Sequence, residues 1–230
     1  FVSSGDQLTA IETPGNWSAA YDISDNGQAV GYYQKPKGRF QAFSWTQDGG
    51  TVSFGTLGGR NSYAQAVNTH GQIVGSSAVR SGYLHAFLYD GIMQDLGTLG
   101  GASSAAYDVN DNREAVGLSV NSIGQDRAFI WKNGNMFDLN SLIDPASGWA
   151  LESAYGINRQ GQIVGAGTYN GQSTAFRLDP DEILALTNAG GATAFDVQTS
   201  AASVPEPSTL ASLAISVLLL GLYRKLRRIR

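Results

Sequence analysis

With 230 residues, no cysteine and two histidines, the chain can form no disulfide, thiolate metal site or thiol nucleophile, and it has too few imidazoles for a histidine metal cluster. Its 42% hydrophobic and 15% charged residues suit a globular chain long enough to bury a sizeable core and exclude a collagen, a coiled coil and a wholly disordered polymer. Residues before Val204 carry 10 basic and 18 acidic side chains, and those from Val204 onward carry 5 and 1; so acidic a body argues against nucleic acid as a partner, and the basic end has a role of its own.

The chain opens on Phe1, which leaves no amino-terminal signal to read. The first predicted element is a strand within Leu8 to Gly15. A four-stranded unit follows. Strand one covers Ala19 to Ile23, and Asp25-Asn26-Gly27 supplies the positive-φ positions of a tight hairpin into Gln28 to Tyr33. After the polar loop Gln34 to Arg39 come a third strand, Phe40 to Trp45, the Asp48-Gly49-Gly50 turn and a fourth strand, Thr51 to Leu57. Gly58-Gly59 then links to the next unit.

The unit recurs. Gly31, Gly75, Gly117 and Gly165 stand 44, 42 and 48 residues apart, and a second anchor keeps step: Ala42-Phe43, Ala86-Phe87, Ala128-Phe129 and Ala175-Phe176. Phe54-Gly55-Thr56-Leu57-Gly58-Gly59 returns as Leu96-Gly97-Thr98-Leu99-Gly100-Gly101 and, degraded, as Leu139-Asn140-Ser141-Leu142. A period in the low forties built from short strands is the size of a propeller blade, and apolar residues that do not alternate cleanly suit sheets covered on both faces. The expected fold is therefore all-β, a propeller-like array of about four four-stranded repeats. The fourth unit stops after three strands, so the strand in Leu8 to Gly15 is expected to complete it and close the ring. The alternatives are a larger propeller cut short before Phe1, or Ile183 to Leu186 as the missing strand.

From Ser18 to Asp179 these units resemble the HAF-type extracellular repeat family, whose His-Ala-Phe signature stands in full at His85-Ala86-Phe87. The other copies have Gln41, Arg127 and Thr174 in place of histidine. The resemblance implies an exported protein and carries no assigned reaction.

Beyond Asp179 the sequence turns rich in Ala, Thr, Gly and Ser, which divides the chain into a repeat domain (1–180), a flexible linker (181–203) and a terminal signal (204–230). That signal consists of Val204-Pro205-Glu206-Pro207, an uncharged apolar run from Leu210 to Tyr223 and the basic residues Arg224, Lys225, Arg227, Arg228 and Arg230. The run is 14 residues, about 21 Å as a helix and shorter than the roughly 30 Å hydrocarbon core. An interfacial Tyr223 and five snorkelling cations still make it one transmembrane helix, with its carboxyl end cytoplasmic and the body on the far side.

The tail closely resembles the PEP-CTERM sorting signal, in which a Val-Pro-Glu-Pro motif precedes a hydrophobic helix and an arginine-rich end. The resemblance implies processing by an exosortase, for which Val204, Pro205, Glu206 and Pro207 are recognition residues of a substrate, and delivery from the inner membrane to the cell surface or extracellular matrix. The two prolines hold the motif extended and present Glu206 at the membrane boundary.

Candidate chemistry in the body is sparse. Asp22, Asp25, Asp108 and Asp111 sit at strand ends where carboxylates could gather round calcium, but Ala66, Thr69, Gly156 and Arg159 replace them in the other copies. The Gly-Thr-Leu-Gly-Gly stretches lack the Lys-Ser/Thr of a phosphate loop and read as turns. His70 and His85 read as solvated turn or edge residues, and no Gly-x-Ser-x-Gly elbow occurs. No catalytic, cofactor or metal site is expected. Tyr21, Tyr63, Tyr83, Tyr107, Tyr155, Trp45 and Trp131 suit either core packing or the stacking of sugar rings. The sequence thus points to an exported, non-enzymatic biofilm or surface protein with extracellular polysaccharide as a candidate partner. The rivals are a polysaccharide-active enzyme with its site in the propeller channel, and an unprocessed membrane-anchored interaction module.

Overall fold

The computed structural model describes residues 2–4 and 7–179. The expected linker, sorting motif, transmembrane run and basic end, and the strand considered at Ile183 to Leu186, lie outside the described residues. Among the described residues there is no helix long and apolar enough to cross a membrane.

A short hairpin of β1 (Val2–Ser4) and β2 (Gln7–Thr9) comes first. Four antiparallel meanders follow. The first sheet contains β3 (Trp17–Ile23), β4 (Ala29–Gln34), β5 (Phe40–Thr46) and β6 (Gly50–Ser53). The second contains β7 (Gly58–Val67), β8 (Ile73–Val79), β9 (Leu84–Tyr89) and β10 (Met93–Gly97). The third contains β11 (Gly100–Val109), β12 (Ala115–Asn121), β13 (Asp126–Lys132) and β14 (Asn135–Asp138). The fourth contains β15 (Trp149–Ile157), β16 (Ile163–Tyr169) and β17 (Gln172–Leu178).

Three expectations need correction. The strand in Leu8 to Gly15 does not complete the fourth sheet, which stays three-stranded among the described residues: Leu8 pairs with Ser3 in the first hairpin. The segment behind it is held against the first sheet, where Thr51 Oγ1 donates to the Glu12 carbonyl and Gly15 lies hard against Gln34 and Tyr33. Gly58-Gly59 is not a link but the start of β7, with Gly58 paired to Val79. The Asp25-Asn26-Gly27 hairpin has one left-handed residue, Gly27 at φ 76°, whose N–H donates to the Ser24 carbonyl at 2.9 Å. It is a three-residue loop and not the two-residue turn that needs two such positions.

The repeated glycine has a local cause. Each first strand carries the same β-bulge, in which Tyr21, Gln65, Tyr107 and Tyr155 are the extra residues opposite β4, β8, β12 and β16. The bulge pushes a first-strand carbonyl towards the partner strand. A Cβ at Gly31, Gly75, Gly117 or Gly165 would lie 2.0, 1.9, 2.0 or 2.1 Å from the carbonyl oxygen of Ala19, Tyr63, Ala105 or Ser153. On the third strand Phe43, Phe87, Phe129 and Phe176 pair with these glycines in register. In the last three sheets the ring lies within 3.0 Å of the place a Cβ would take. The two sequence anchors are one device, a bulge-facing glycine covered by an aromatic ring.

Successive sheets pack face to face, and each interface has its own apolar cluster. Val30 and Ala42 of the first sheet meet Ala64, Val67, Ile73 and Phe87 of the second. Val74, Ala86 and Leu88 meet Ala106, Val109 and Phe129 of the third. Val116, Ala128 and Ile130 meet Leu151, Ala154, Ile157 and Phe176 of the fourth. Buried serines fasten the junctions. Ser62 Oγ accepts the Ala42 N–H at 2.9 Å and donates to the Gly55 carbonyl at 2.7 Å, and Ser104 Oγ takes the Ala86 N–H at 2.8 Å. Ser77 and Ser119 accept the Leu57 and Leu99 amides at 2.9 and 2.8 Å. At the two ends of the stack formed by the described residues the same positions are more exposed: Ile23 is 57% exposed where Val67, Val109 and Ile157 are buried, and Val164 is 48% exposed where Val30, Val74 and Val116 are buried.

Candidate functional site

The turns that leave the four first strands converge on one side of the molecule. Ile23 to Asp25, Val67 to Thr69, Val109 to Asp111, and Ile157 with Arg159 together line an open depression of about 200 Å³. Three of the turns begin with asparagine, Asn68, Asn110 and Asn158, and in the first two the side chain does two jobs. Asn68 Oδ1 accepts the N–H groups of His70 and Gln72 at 3.1 and 2.9 Å, closing its own turn, while Nδ2 donates to the Asn110 carbonyl of the next turn at 2.9 Å. Asn110 repeats the pattern, accepting from Asn112 and Glu114 and donating to the Asn158 carbonyl at 3.1 Å. Asn26 Nδ2 donates to the Thr69 carbonyl at 2.6 Å and links the first turn to the second. This ladder is a locally satisfied polar network, as burial of Asn68 and Asn110 requires.

The four candidate carboxylates are brought to this region, and three are engaged by the protein itself. Asp22 accepts its own Ile23 N–H on one oxygen and the Val67 N–H of the second sheet on the other, both at 2.8 Å. Asp108 does the same with Val109 at 2.8 Å and Ile157 of the fourth sheet at 2.7 Å. These two are bridges between sheets one and two and between three and four; Ala66 and Gly156 stand at the equivalent places in sheets two and four. Burial pushes the Asp108 carboxyl up against the opposing pull of its two amide donors, and the nearby Asp22 charge adds to the rise. Asp111 accepts from Thr69 N–H at 3.0 Å, Thr69 Oγ1 at 2.7 Å and Arg159 Nε at 3.2 Å. The Arg159 guanidinium and the Thr69 donors hold its carboxyl down at about 2. Asp25 stays exposed at the rim; the Arg159 guanidinium is raised chiefly by its hydrogen bond and ion pair with Asp111, and Asp25 adds a smaller electrostatic share. Among the described residues no group of three or more His, Asp or Glu side chains could hold a metal ion.

The histidines lie apart from one another. His70 is largely exposed with Nδ1 3.8 Å from Asp111. His85 lies within β9, its Nδ1 3.0 Å from Asp95 of β10. The Gly-Thr-Leu-Gly-Gly stretches are turns: Thr56 Oγ1 donates to the Gly59 carbonyl at 3.0 Å, and Thr98 Oγ1 to Gly101 at 2.9 Å.

The aromatics divide. Trp131 is core, and Trp45 is half-buried. On the first sheet Tyr21 stacks on Tyr32 at 5.2 Å with their hydroxyls 2.8 Å apart. Tyr32 also meets Trp17 at 5.6 Å and Tyr63 of the second sheet at 4.8 Å, with Phe40 filling the corner. Trp17 and Tyr21 are about half exposed, at 48% and 50%. Tyr107 meets Tyr155 at 5.7 Å, and Tyr83 is exposed on a turn. The bulge, the asparagine ladder and Tyr32 are absent from the residues singled out in the sequence. The recurrence of Asn68, Asn110 and Asn158 is the signal that could have exposed the ladder.

These features define an all-β protein of stacked antiparallel sheets, three of them four-stranded, whose polar face is tied turn to turn. The chain belongs to the family described as a protein of unknown function (DUF3466), whose profile matches residues 6–175. The PEP-CTERM protein-sorting motif matches residues 203–228. That motif implies export, sorting to the cell surface and an exosortase as the processing partner. Comparison with curated proteins gives no match.

Proposed function

We propose that the chain is an exported, non-enzymatic surface or matrix protein. Its body, residues 1–180, is a propeller-like array of HAF-type units that holds an extracellular partner. Residues 181–203 are the linker, and residues 204–230 deliver the body through the membrane by way of Leu210 to Tyr223 and the basic stop. The observation that carries the reading is the sorting motif at 203–228 behind a β-rich repeat body. The convergence of four first-strand turns on one depression supports a propeller-like arrangement.

A non-enzymatic role is supported by the state of the polar groups. A polysaccharide-active enzyme needs two carboxylates free to serve as acid and base or nucleophile. Asp22 and Asp108, which act on each other electrostatically, each have both oxygens occupied by backbone N–H groups. A glycan partner is favoured by the half-exposed rings of Trp17 and Tyr21, which offer flat apolar faces beside the paired hydroxyls of Tyr21 and Tyr32.

The deciding experiment is intact mass and fractionation of the full chain produced with and without an exosortase. Loss of the tail only when the enzyme is present, abolished by Pro205→Ala with Glu206→Ala, is the expected outcome. An intact tail in both hosts would reduce the motif to a plain anchor and overturn the sorting half of the reading.

A further inference from the structure

The side of the first two sheets opposite the depression, where the second strand turns into the third, is strongly basic. From Asn26 to Tyr89 the sequence holds five cations, Lys35, Lys37, Arg39, Arg60 and Arg80, and one acid, Asp48. Asp48 lies in the turn between β5 and β6, at the other end of the strands. The cations come together. Arg39 precedes Phe40, whose N–H donates to Asn61 Oδ1 at 3.0 Å, and Asn61 follows Arg60 on β7. The Arg80 stem lies over Gly58 of the same strand, its Cγ 3.2 Å from the place a Cβ would take. Lys37, Arg39, Arg60 and Arg80 are exposed. Among the described residues none of the five forms an ion pair, whereas Arg113, Arg127, Arg159 and Arg177 of the last two sheets all do.

The fold does not ask for these charges. The turns from β4 to β5, β8 to β9 and β12 to β13 share one hydrogen-bond pattern: Lys35 with Arg39 and Gly38, Val79 with Tyr83 and Gly82, Asn121 with Gln125 and Gly124. The third turn makes it without a cation. Ser122 stands against Gly100 where Arg80 stands against Gly58, and Ala102 takes the place of Arg60. In the first turn Lys37 adopts φ 71°, a left-handed conformation that favours glycine or asparagine, while its counterparts Ser81 and Ile123 do not. A backbone outlier that carries a cation points to a use of that cation. Flat rings adjoin the charges. Trp17, Gln34 and Phe40 stand side by side across β3, β4 and β5. The Phe40 ring meets Trp17 at 6.3 Å and Tyr63 at 5.6 Å. Trp17 is half exposed, and so is Tyr83, in the same turn as Arg80.

We infer that this basic side binds an acidic polysaccharide, whose carboxylates or sulfates meet Arg39, Arg60 and Arg80 while a sugar ring lies on Trp17. The inference rests on the reading of the body as a holder of glycans and narrows it to anionic ones. Exposed cations without carboxylate partners draw a polyanion to one place on an otherwise acidic body. The indole beside them offers a flat apolar face that suits a sugar ring and that a bare phosphate chain has no use for.

The test measures binding of the full chain, purified in detergent, to immobilised polygalacturonate, neutral dextran and polyphosphate at low and high salt. Arg39→Gln, Arg60→Gln and Arg80→Gln are combined in one variant. Lys132→Gln, at the opposite end of the strands, is the control, and the basic tail is common to every protein compared. The triple variant is expected to bind polygalacturonate roughly tenfold more weakly at low salt, with Lys132→Gln unchanged and the difference fading at high salt. Trp17→Ala is expected to weaken polygalacturonate and to leave polyphosphate unchanged, with circular dichroism and Tm of both variants matching the parent. Polyphosphate bound as tightly as polygalacturonate, with Trp17→Ala without effect, would assign the cations to a phosphate surface and overturn the inference. Equal binding of dextran and polygalacturonate, untouched by the triple substitution, would overturn it and leave the glycan reading standing. Binding to none of the three polymers would overturn both.

Discussion

Gly75→Ala tests the physical origin of the repeat. The added methyl would stand 1.9 Å from the Tyr63 carbonyl oxygen, 3.0 Å from the Ala64 Cα and 3.0 Å from the Phe87 ring, where ordinary contact begins near 3.4 Å. Relief needs a movement of about 1.5 Å, close to a third of the roughly 4.8 Å spacing between strands. The oxygen cannot retreat alone: the bulge fixes it, and the flanking pairs Ala64 with Gly75 and Ala66 with Val74 hold the strands together. Such overpacking against backbone belongs at or above the upper end of the usual range, about 3–5 kcal/mol. For a body of this size that corresponds to a fall of about 6–20 °C in Tm. Urea and thermal unfolding followed by circular dichroism would measure it. Adding Phe87→Leu should not rescue the variant, because the main obstacle is a carbonyl and not the ring. A loss under about 1 kcal/mol, or rescue by the second substitution, would refute the account of the glycine period.

Other outcomes follow from single residues. Ser62→Ala removes the acceptor of the buried Ala42 N–H and the donor to Gly55; a loss of about 2–4 kcal/mol in urea unfolding is expected, against none for the exposed Ser81→Ala. Asp22→Ala should cost about 1–3 kcal/mol by stranding the Val67 N–H at a sheet junction, and Asp108→Ala a similar amount at Ile157, with faster hydrogen exchange confined to those junctions. The Asp111 carboxyl, held at about 2 against an ordinary 3.8, contributes stability that is complete above pH 4 and lost only as the pH falls through about 2. Arg159→Gln should raise that titration in a carbon-detected NMR series and shift acid unfolding to higher pH. Asp108 has the opposite sign: burial raises its carboxyl in the folded protein, so its ionisation weakens the fold as pH rises through that value.

Much of the architecture was legible because its punctuation is chemical. The Val-Gly and Ala-Phe anchors locate strands two and three in every copy, since a bulge-facing glycine and its covering ring tolerate little else. The unit boundary was not legible. Gly58 and Gly59 look like punctuation, yet β7 begins there because Gly59 packs against the Ala78 and Val79 backbone where a Cβ would lie 2.6 Å from either carbonyl. The path of Leu8 to Gly15 was also hidden, because the Thr51 bond that holds it to the first sheet depends on a contact 39 residues away. At the candidate site the aspartates drew notice for their charge. Their real work, amide bridging between sheets, shows only when Asp22 is seen beside Val67 and Asp108 beside Ile157.

The meander order of the strands bears on how the body matures after export. Every pairing within the four main sheets joins strands that are neighbours in sequence, so no sheet has to wait for a distant segment of chain. Such locality favours fast folding. A lone sheet still leaves its apolar faces bare, and it gains stability only when the next one emerges and packs against it, in the manner of a one-dimensional array. A chain threaded through a membrane end first can therefore assemble in the order in which it arrives. With no cysteine to oxidise, it needs no disulfide machinery on the far side.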